Sequence, residues 1–114
     1  MIHHLHFDLP VSVNKMYRRK GQAVFLTNEA QAWKTYAIVV ARRQWPYHHT
    51  LKGNLAVTYR FYGTRLDFDN GLKLLNDALN TEIWEDDRQI LQAHIFITRK
   101  DSQPRVEIDI EELS

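Results

Sequence analysis

The chain has no cysteine, which excludes a disulfide framework, a thiolate zinc site and a cysteine nucleophile, and suits the cytoplasm. Its four glycines stand singly, so there is no glycine-rich loop to cradle a nucleotide phosphate, and no organic cofactor is expected. No apolar run is long enough to cross a membrane. The opening MIHHLHFDLP lacks the charged-then-apolar layout of a secretory signal. The expectation is a soluble cytoplasmic protein with no membrane partner. Histidine is present at positions 3, 4, 6, 48, 49 and 94 but never in His-Glu-x-x-His spacing, and these side chains read as surface residues rather than as a transition-metal site.

What remains is 114 residues with a hydrophobic fraction of 44%, enough for one domain, residues 1–114, with a modest core and a small active site. The net charge of +1 hides an uneven distribution. Residues 15–20, KMYRRK, carry four cations and no acid, whereas residues 64–88 carry seven acids against three bases. The first stretch attracts phosphates; the second calls for cations of its own. Tyr17, an aromatic among Lys15, Arg18, Arg19 and Lys20, has the composition of a contact to an unpaired base or sugar, and an exposed basic loop is the equally available alternative.

Periodicity supplies the elements. Leu5, Phe7 and Leu9 alternate with polar residues over a strand at 2–9, closed by Pro10. Lys20 and Gly21 suit the turn of a short hairpin whose second arm is Ala23 to Leu26. Thr27 or Asn28, with Gln31, caps a helix whose inner face holds Ala30, Trp33, Ala37, Val40 and Ala41 and which Pro46 stops. Leu55, Val57, Tyr59 and Phe61 alternate along a second strand that runs directly into RLDFDNGLKLLNDAL at 65–79. There, Asp69 or Asn70 caps a helix over about 70–80, with Leu72, Leu75 and Leu79 inward. Past the acidic EIWEDDRQ, Leu91, Ala93, Ile95 and Ile97 mark a third strand, placed beside the second. Val106, Ile108 and Ile110 mark a fourth. The order predicts an α+β fold, a mixed sheet of about four strands plus a short hairpin, covered by two helices.

Residues two apart on a strand share a face, roughly 7 Å apart along the chain, so Asp67 and Asp69 can aim both carboxylates at one point while Phe68 turns into the core. Two ionised carboxylates so close repel unless a cation sits between them. Hard ions such as Mg²⁺ or Mn²⁺ take oxygen ligands of this kind. A capped turn is the plainer reading of Asp-x-Asp alone. An EF-hand loop fails, since Leu72 and Ala78 stand where it needs glycine and glutamate. The metal reading gains from its company: Lys73 lies one helical turn after Asp69, where it can meet a phosphate, and Asp86 and Asp87 stand at the start of the neighbouring strand. Three acids and a lysine have the chemistry of a metal-dependent phosphodiesterase.

DFDNGLKLLNDAL followed by IWEDDRQI resembles the RusA-type Holliday-junction resolvases, many of them encoded by phages and prophages. LPVSVNKMYRR resembles that family's amino-terminal Pro-x-Ser-x-Asn-x-x-Tyr segment, and FLTNEAQAWK resembles the start of its first helix. The resemblance implies a homodimeric, Mg²⁺-dependent endodeoxyribonuclease that resolves four-way DNA junctions by paired symmetric nicks in recombination and repair. Position by position, it implies that Asp67, Asp69 and Asp87 are the metal-binding catalytic acids and that Lys73 is the essential basic residue. Asp86 is a secondary candidate, and Asn14 and Asn70 shape the site. Lys15, Tyr17, Arg18, Arg19, Lys20 and Arg65 fall to DNA contact. Two departures stand out: Leu66 separates Arg65 from the first aspartate, and Gly71 replaces an aliphatic residue. A junction-binding module that does not cut, and a nuclease preferring other branched DNA, are the alternative functions.

Overall fold

Alternating apolar positions build most of this molecule, because each strand of a sheet with one covered face must bury every second side chain. The computed structural model describes residues 1–9, 17–20, 23–26, 28–64 and 68–113, with side chains at 1–9, 28–64 and 71–113. The elements are β1 (Ile2–Asp8), β2 (Tyr17–Lys20), β3 (Ala23–Leu26), α1 (Asn28–Gln44), β4 (Leu55–Tyr62), α2 (Phe68–Leu79), a short 3₁₀ turn (Asp87–Gln89), β5 (Ile90–Thr98) and β6 (Arg105–Glu112). This is the expected α+β arrangement. A four-stranded mixed sheet runs in the order β1-β6-β4-β5, and β2 and β3 form a separate antiparallel pair. Lys20 pairs with Ala23, so it closes the first arm of that hairpin instead of occupying the turn.

β5 lies parallel to β4, and α2 is the crossover that parallel neighbours require. β6 is antiparallel to both β1 and β4. The inner face of the sheet contributes Leu5, Phe7, Leu55, Val57, Tyr59, Phe61, Val106, Ile108 and Ile110 to one core cluster. Onto it α1 lays Ala30, Trp33, Ala37 and Ala41, and α2 lays Leu74, Leu75, Ala78 and Leu79. Trp84 seals the lower rim and is fully buried. Among the described residues no helix is long and apolar enough to cross a membrane.

The two outer strands end the sheet differently. On β1, the side-chain amide of Gln44 accepts from the His6 N–H (3.0 Å) and donates to the His6 carbonyl (2.7 Å). The Asp8 N–H donates to the Tyr36 hydroxyl (3.0 Å), and the Trp33 indole N–H donates to the Asp8 carbonyl (2.9 Å). Helix α1 thus supplies the partners that another strand would have given. β5 reads ILQAHIFIT, without a single Asp, Glu, Lys or Arg, and Leu91 and Phe96 are 62% and 58% exposed.

Three expectations need correction. The second strand does not run into the aspartates. It ends at Tyr62, where Gly63 turns the chain at φ 70°, and a Cβ there would meet the Asp101 carbonyl oxygen at 3.0 Å and the Pro104 Cα at 3.2 Å. Helix α2 consequently starts at Phe68, so Asp69 and Asn70 belong to its first turn and neither is its cap. Strand geometry for Phe68 and Asp69 falls with this, while Asp67 lies outside the described residues. Finally, His3 is no surface residue: its ring packs 5.0 Å from Trp45 and 5.6 Å from Tyr47 and bonds Glu112 at 3.0 Å.

Candidate active site

Helix α2 places its polar residues in a row. Lys73 and Asn76 recur at helical spacing on one face, Asp69 stands at the head of the same row, and Asn80 continues it just past the last residue of the helix. Leu74, Leu75, Ala78 and Leu79 occupy the opposite face and are fully buried, which is why the polar row looks away from the core centre. Two buried aromatics fix its lower half. The Tyr59 hydroxyl donates to Asn76 Oδ1 at 2.7 Å, and the Trp84 indole N–H donates to Asn80 Oδ1 at 2.6 Å. Burial drives the Tyr59 phenol well above its ordinary pKa, the Asn76 bond opposes this, and the charge of Asp87 adds to the rise.

The acidic turn after α2 gives its two adjacent aspartates different work. Asp86 caps the 3₁₀ turn, accepting from the Arg88 N–H at 2.9 Å. Gln89 completes a reciprocal box by accepting from the Asp86 N–H at 2.9 Å and the Glu85 N–H at 2.8 Å. The Gln89 amide also donates to the carbonyls of Leu51 and Gly53, both at 2.9 Å, which ties the turn to the segment before β4. Asp87, half-buried, takes no part in this cap. Its carboxyl is pushed above the usual carboxylate range, first by burial, then by the charge of Asp86 and a hydrogen bond with it, then by the charge of Asp77, while a hydrogen bond from Asn80 pulls the other way.

Of the residues singled out from the sequence, Asp87 and Asp86 meet at the foot of α2, and Lys73 is exposed on that helix one turn beyond Asp69. Asp69 and Asn70 are placed as backbone in the first turn of α2. Eight residues, about 12 Å of helical rise, separate Asp69 from Asp77, whose charge adds to the rise at Asp87 behind burial and Asp86. Tyr17, Arg18, Arg19 and Lys20 form β2. Asn14, Lys15, Arg65 and Asp67 lie outside the described residues. Among the described residues no three His, Asp or Glu side chains converge on one cation position. The donor set near Asp87 is nonetheless all oxygen plus amides, with burial and then the neighbouring carboxylates raising the affinity of Asp87 for a proton. That fits a hard divalent ion better than a soft one.

The sequence reading passes over Tyr59, Asn76 and Asn80, and takes Asp77 only as a helix-surface charge. Helical spacing from Asp69 through Lys73 is the signal that reaches both asparagines. A family model described as endodeoxyribonuclease RusA matches residues 8–111. The chain belongs to the RusA endodeoxyribonuclease family. The RusA match runs from the end of β1 into β6, so it takes in the hairpin, both helices, the aspartate-rich stretch and the 3₁₀ turn. No curated protein sequence matches the chain.

Proposed function

We propose that this protein is a Mg²⁺-dependent endodeoxyribonuclease that resolves four-way DNA junctions by paired symmetric nicks, as a homodimer, in recombination and repair. The observation that carries this reading is the family match across residues 8–111, with Asp-x-Asp-Asn-x-x-Lys and Trp-x-Asp-Asp in order within it. The raised Asp87 carboxyl supports it, since an acid raised first by burial and then by neighbouring acids is one that a cation relieves.

Asp67, Asp69 and Asp87 would hold the ion, for which Mn²⁺ is the natural substitute. When bound, Mg²⁺ lowers the pKa of a coordinated water and polarises the phosphoryl oxygen. Lys73 extends an exposed ammonium from α2 toward the phosphate and meets the charge that grows on it as the bond breaks. Lys15, Arg18, Arg19, Lys20 and Arg65 hold the flanking phosphates, Tyr17 contacts a base or sugar, and Asn14 and Asn70 orient the site.

A four-way junction has near two-fold symmetry, so a two-fold dimer presents one site to each of two strands. The uncharged open edge of β5 supports pairing with a second copy, because an edge without lysine, proline or charge is one that another strand can join.

The test is a labelled four-way junction and a matching linear duplex, each incubated with the wild type and Asp67→Asn, with and without Mg²⁺. Paired nicks in the junction alone, dependent on metal and Asp67, are the expected result. Asp67→Asn is expected to keep or tighten junction binding, since it removes a negative charge facing DNA, and wild-type binding falls with salt at a slope near 0.9 per phosphate neutralised. Binding without cutting under any divalent ion defeats the reading.

A further inference from the structure

We propose that the hollow beside the acidic turn, walled by Trp45, Tyr47 and His49, takes an unstacked nucleobase of branched DNA. The inference rests on the nuclease reading for its partner, and on the following geometry for its occupant.

Helix α1 ends at Gln44, and the chain then lays three aromatic rings in a stair. Trp45 and Tyr47 stand 5.0 Å apart at 70°, and Tyr47 and His49 stand 5.7 Å apart at 46°. The Trp45 indole N–H donates to the His49 carbonyl at 3.0 Å, which closes this loop and holds its two ends together. His3 packs against both Trp45 and Tyr47. Tyr47 and His49 remain exposed, and together with Arg42, Thr81 and Glu82 the rings line a hollow of about 260 Å³. Small-molecule pockets run from roughly 300 to 1,000 Å³. This hollow has the size for one flat ring system and not for a whole nucleotide.

The chemistry of the lining narrows the choice of occupant. Aromatic faces stack on any base. Arg42 and Glu82 form a two-pronged ion pair, with Nε donating to Oε2 at 2.9 Å and Nη2 to Oε1 at 2.8 Å. A carboxylate so engaged keeps lone pairs that accept from a base N–H, and the guanidinium keeps N–H groups for a base carbonyl or ring nitrogen. Donor and acceptor stand side by side, as they do along the edge of a base. A phosphate is a poor occupant, because the cation is already paired and the Glu82 carboxylate repels it. A cationic side chain is as poor, because Arg42 shares the lining. The Tyr47 hydroxyl donates to the Met1 sulfur at 3.7 Å, a weak acceptor that a base oxygen readily replaces.

The hollow is tied to the acidic turn. The Leu51 N–H, just past the aromatic loop, donates to the Ile83 carbonyl at 2.8 Å, and Leu51 bridges Trp84. The Gln89 amide holds the carbonyls of Leu51 and Gly53 from the 3₁₀ turn that Asp86 caps and Asp87 opens. Thr81 takes φ 69°, a left-handed conformation that usually falls to glycine just after a helix and that a β-branched residue adopts at a cost. The side chain kept there lines the hollow. Pulling a base from its stack costs least where the duplex is already disturbed, as it is at a branch point. A seat for one base, next to the acid that the nuclease reading assigns to the metal, therefore favours branched DNA over linear DNA.

The experiment uses the full chain as wild type, Tyr47→Ala and Glu82→Gln, with thermal unfolding to confirm the fold of each. The four deoxynucleoside monophosphates are titrated by NMR without metal, with deoxyribose 5-phosphate as the probe that lacks a base. The Trp45 indole signal and the ring signals of Tyr47 and His49 should move with the nucleotides and stay still with the sugar phosphate. Affinity for a four-way junction and for a matching linear duplex is then measured without Mg²⁺, so that no cutting intervenes. Tyr47→Ala should weaken junction binding roughly 5 to 100 times, the range that loss of one base–aromatic stack gives. Glu82→Gln should weaken it roughly 2 to 10 times, and both should bind the duplex as the wild type does. Ring signals that ignore the nucleotides, or follow the sugar phosphate equally, overturn the proposal. So does wild-type junction affinity in both variants, or a loss shared equally by the duplex. If Tyr47→Ala fails to fold, Glu82→Gln and the wild-type titration decide it. A wild type that neither binds nor cuts the junction defeats the nuclease reading instead, and the titration then decides the hollow by itself.

Discussion

The two edges of the sheet are opposites. β1 is sealed: Gln44, Tyr36 and Trp33 of α1 satisfy the outward groups of His6 and Asp8. β5 carries no charge and leaves Leu91 and Phe96 exposed, and the residue that leads into it through the 3₁₀ turn is Asp87. A sealed edge is structural and an open one is available. The contrast says that α1 serves stability at β1, whereas β5, with Asp87 leading into it, is where the proposed site and the proposed pairing can be tested.

The comparison is sharpened most by Asp87→Asn. Junction cleavage should fall by roughly a hundredfold or more, while the protein becomes more stable. The sign follows from the raised folded-state pKa: ionised Asp87 costs stability at neutral pH, and that cost fades as pH falls through the folded pKa. The gain in unfolding temperature should therefore be largest at neutral pH and vanish in acid. A variant less stable than wild type at pH 7 would remove Asp87 from the strained site.

Next in size is a charge on the open edge. Ala93→Lys on β5 should convert a dimer to a monomer in sedimentation while changing monomer stability by no more than about 0.5 kcal/mol. An intact dimer would place the second copy elsewhere. Breaking the sealed edge is a smaller effect of another kind: Gln44→Ala removes two hydrogen bonds to His6 and should cost about 1–2 kcal/mol in urea denaturation, with no change in oligomeric state.

The smallest concerns the outer sheet face, where Asp109 bonds His4 and reaches Arg60 at 2.6 Å. Its pKa is lowered, chiefly by the His4 bond and then by Arg60, against some desolvation. Its contribution is present above the ordinary carboxylate range and is lost as pH falls through the lowered folded value. Asp109→Asn should cost at most about 1 kcal/mol at pH 7 and flatten the acid limb of the stability profile.

Much of the fold was legible because burial imposes a period. β4 and β6 each bury one face, so Val57, Tyr59 and Phe61, like Val106, Ile108 and Ile110, alternate cleanly. β5 shows the limit. Alternation puts Leu91 inside, yet the pairing passes from Leu55↔Ile90 to Ala56↔Gln92, which skips Leu91 and leaves it exposed. The start of α2 was illegible for a different reason: Gly63 turns against Asp101 and Pro104, residues far along the chain. At the site the carboxylates announce their chemistry locally. Tyr59, Asn76 and Asn80 do not, because each matters through a partner that only folding brings near.

The order β1-β6-β4-β5 has a consequence for how the molecule is made. The last strand in the chain is an inner strand of the sheet, and the first strand touches the rest of the sheet only through it. On the ribosome, β1 has no sheet partner until residues 105–112 have emerged, and the helices wait above a surface that is half missing. Completion of the sheet thus waits for residues 105–112, through contacts of long sequence separation that form slowly. A domain assembled in this order closes its sheet only once residues 105–112 have been translated.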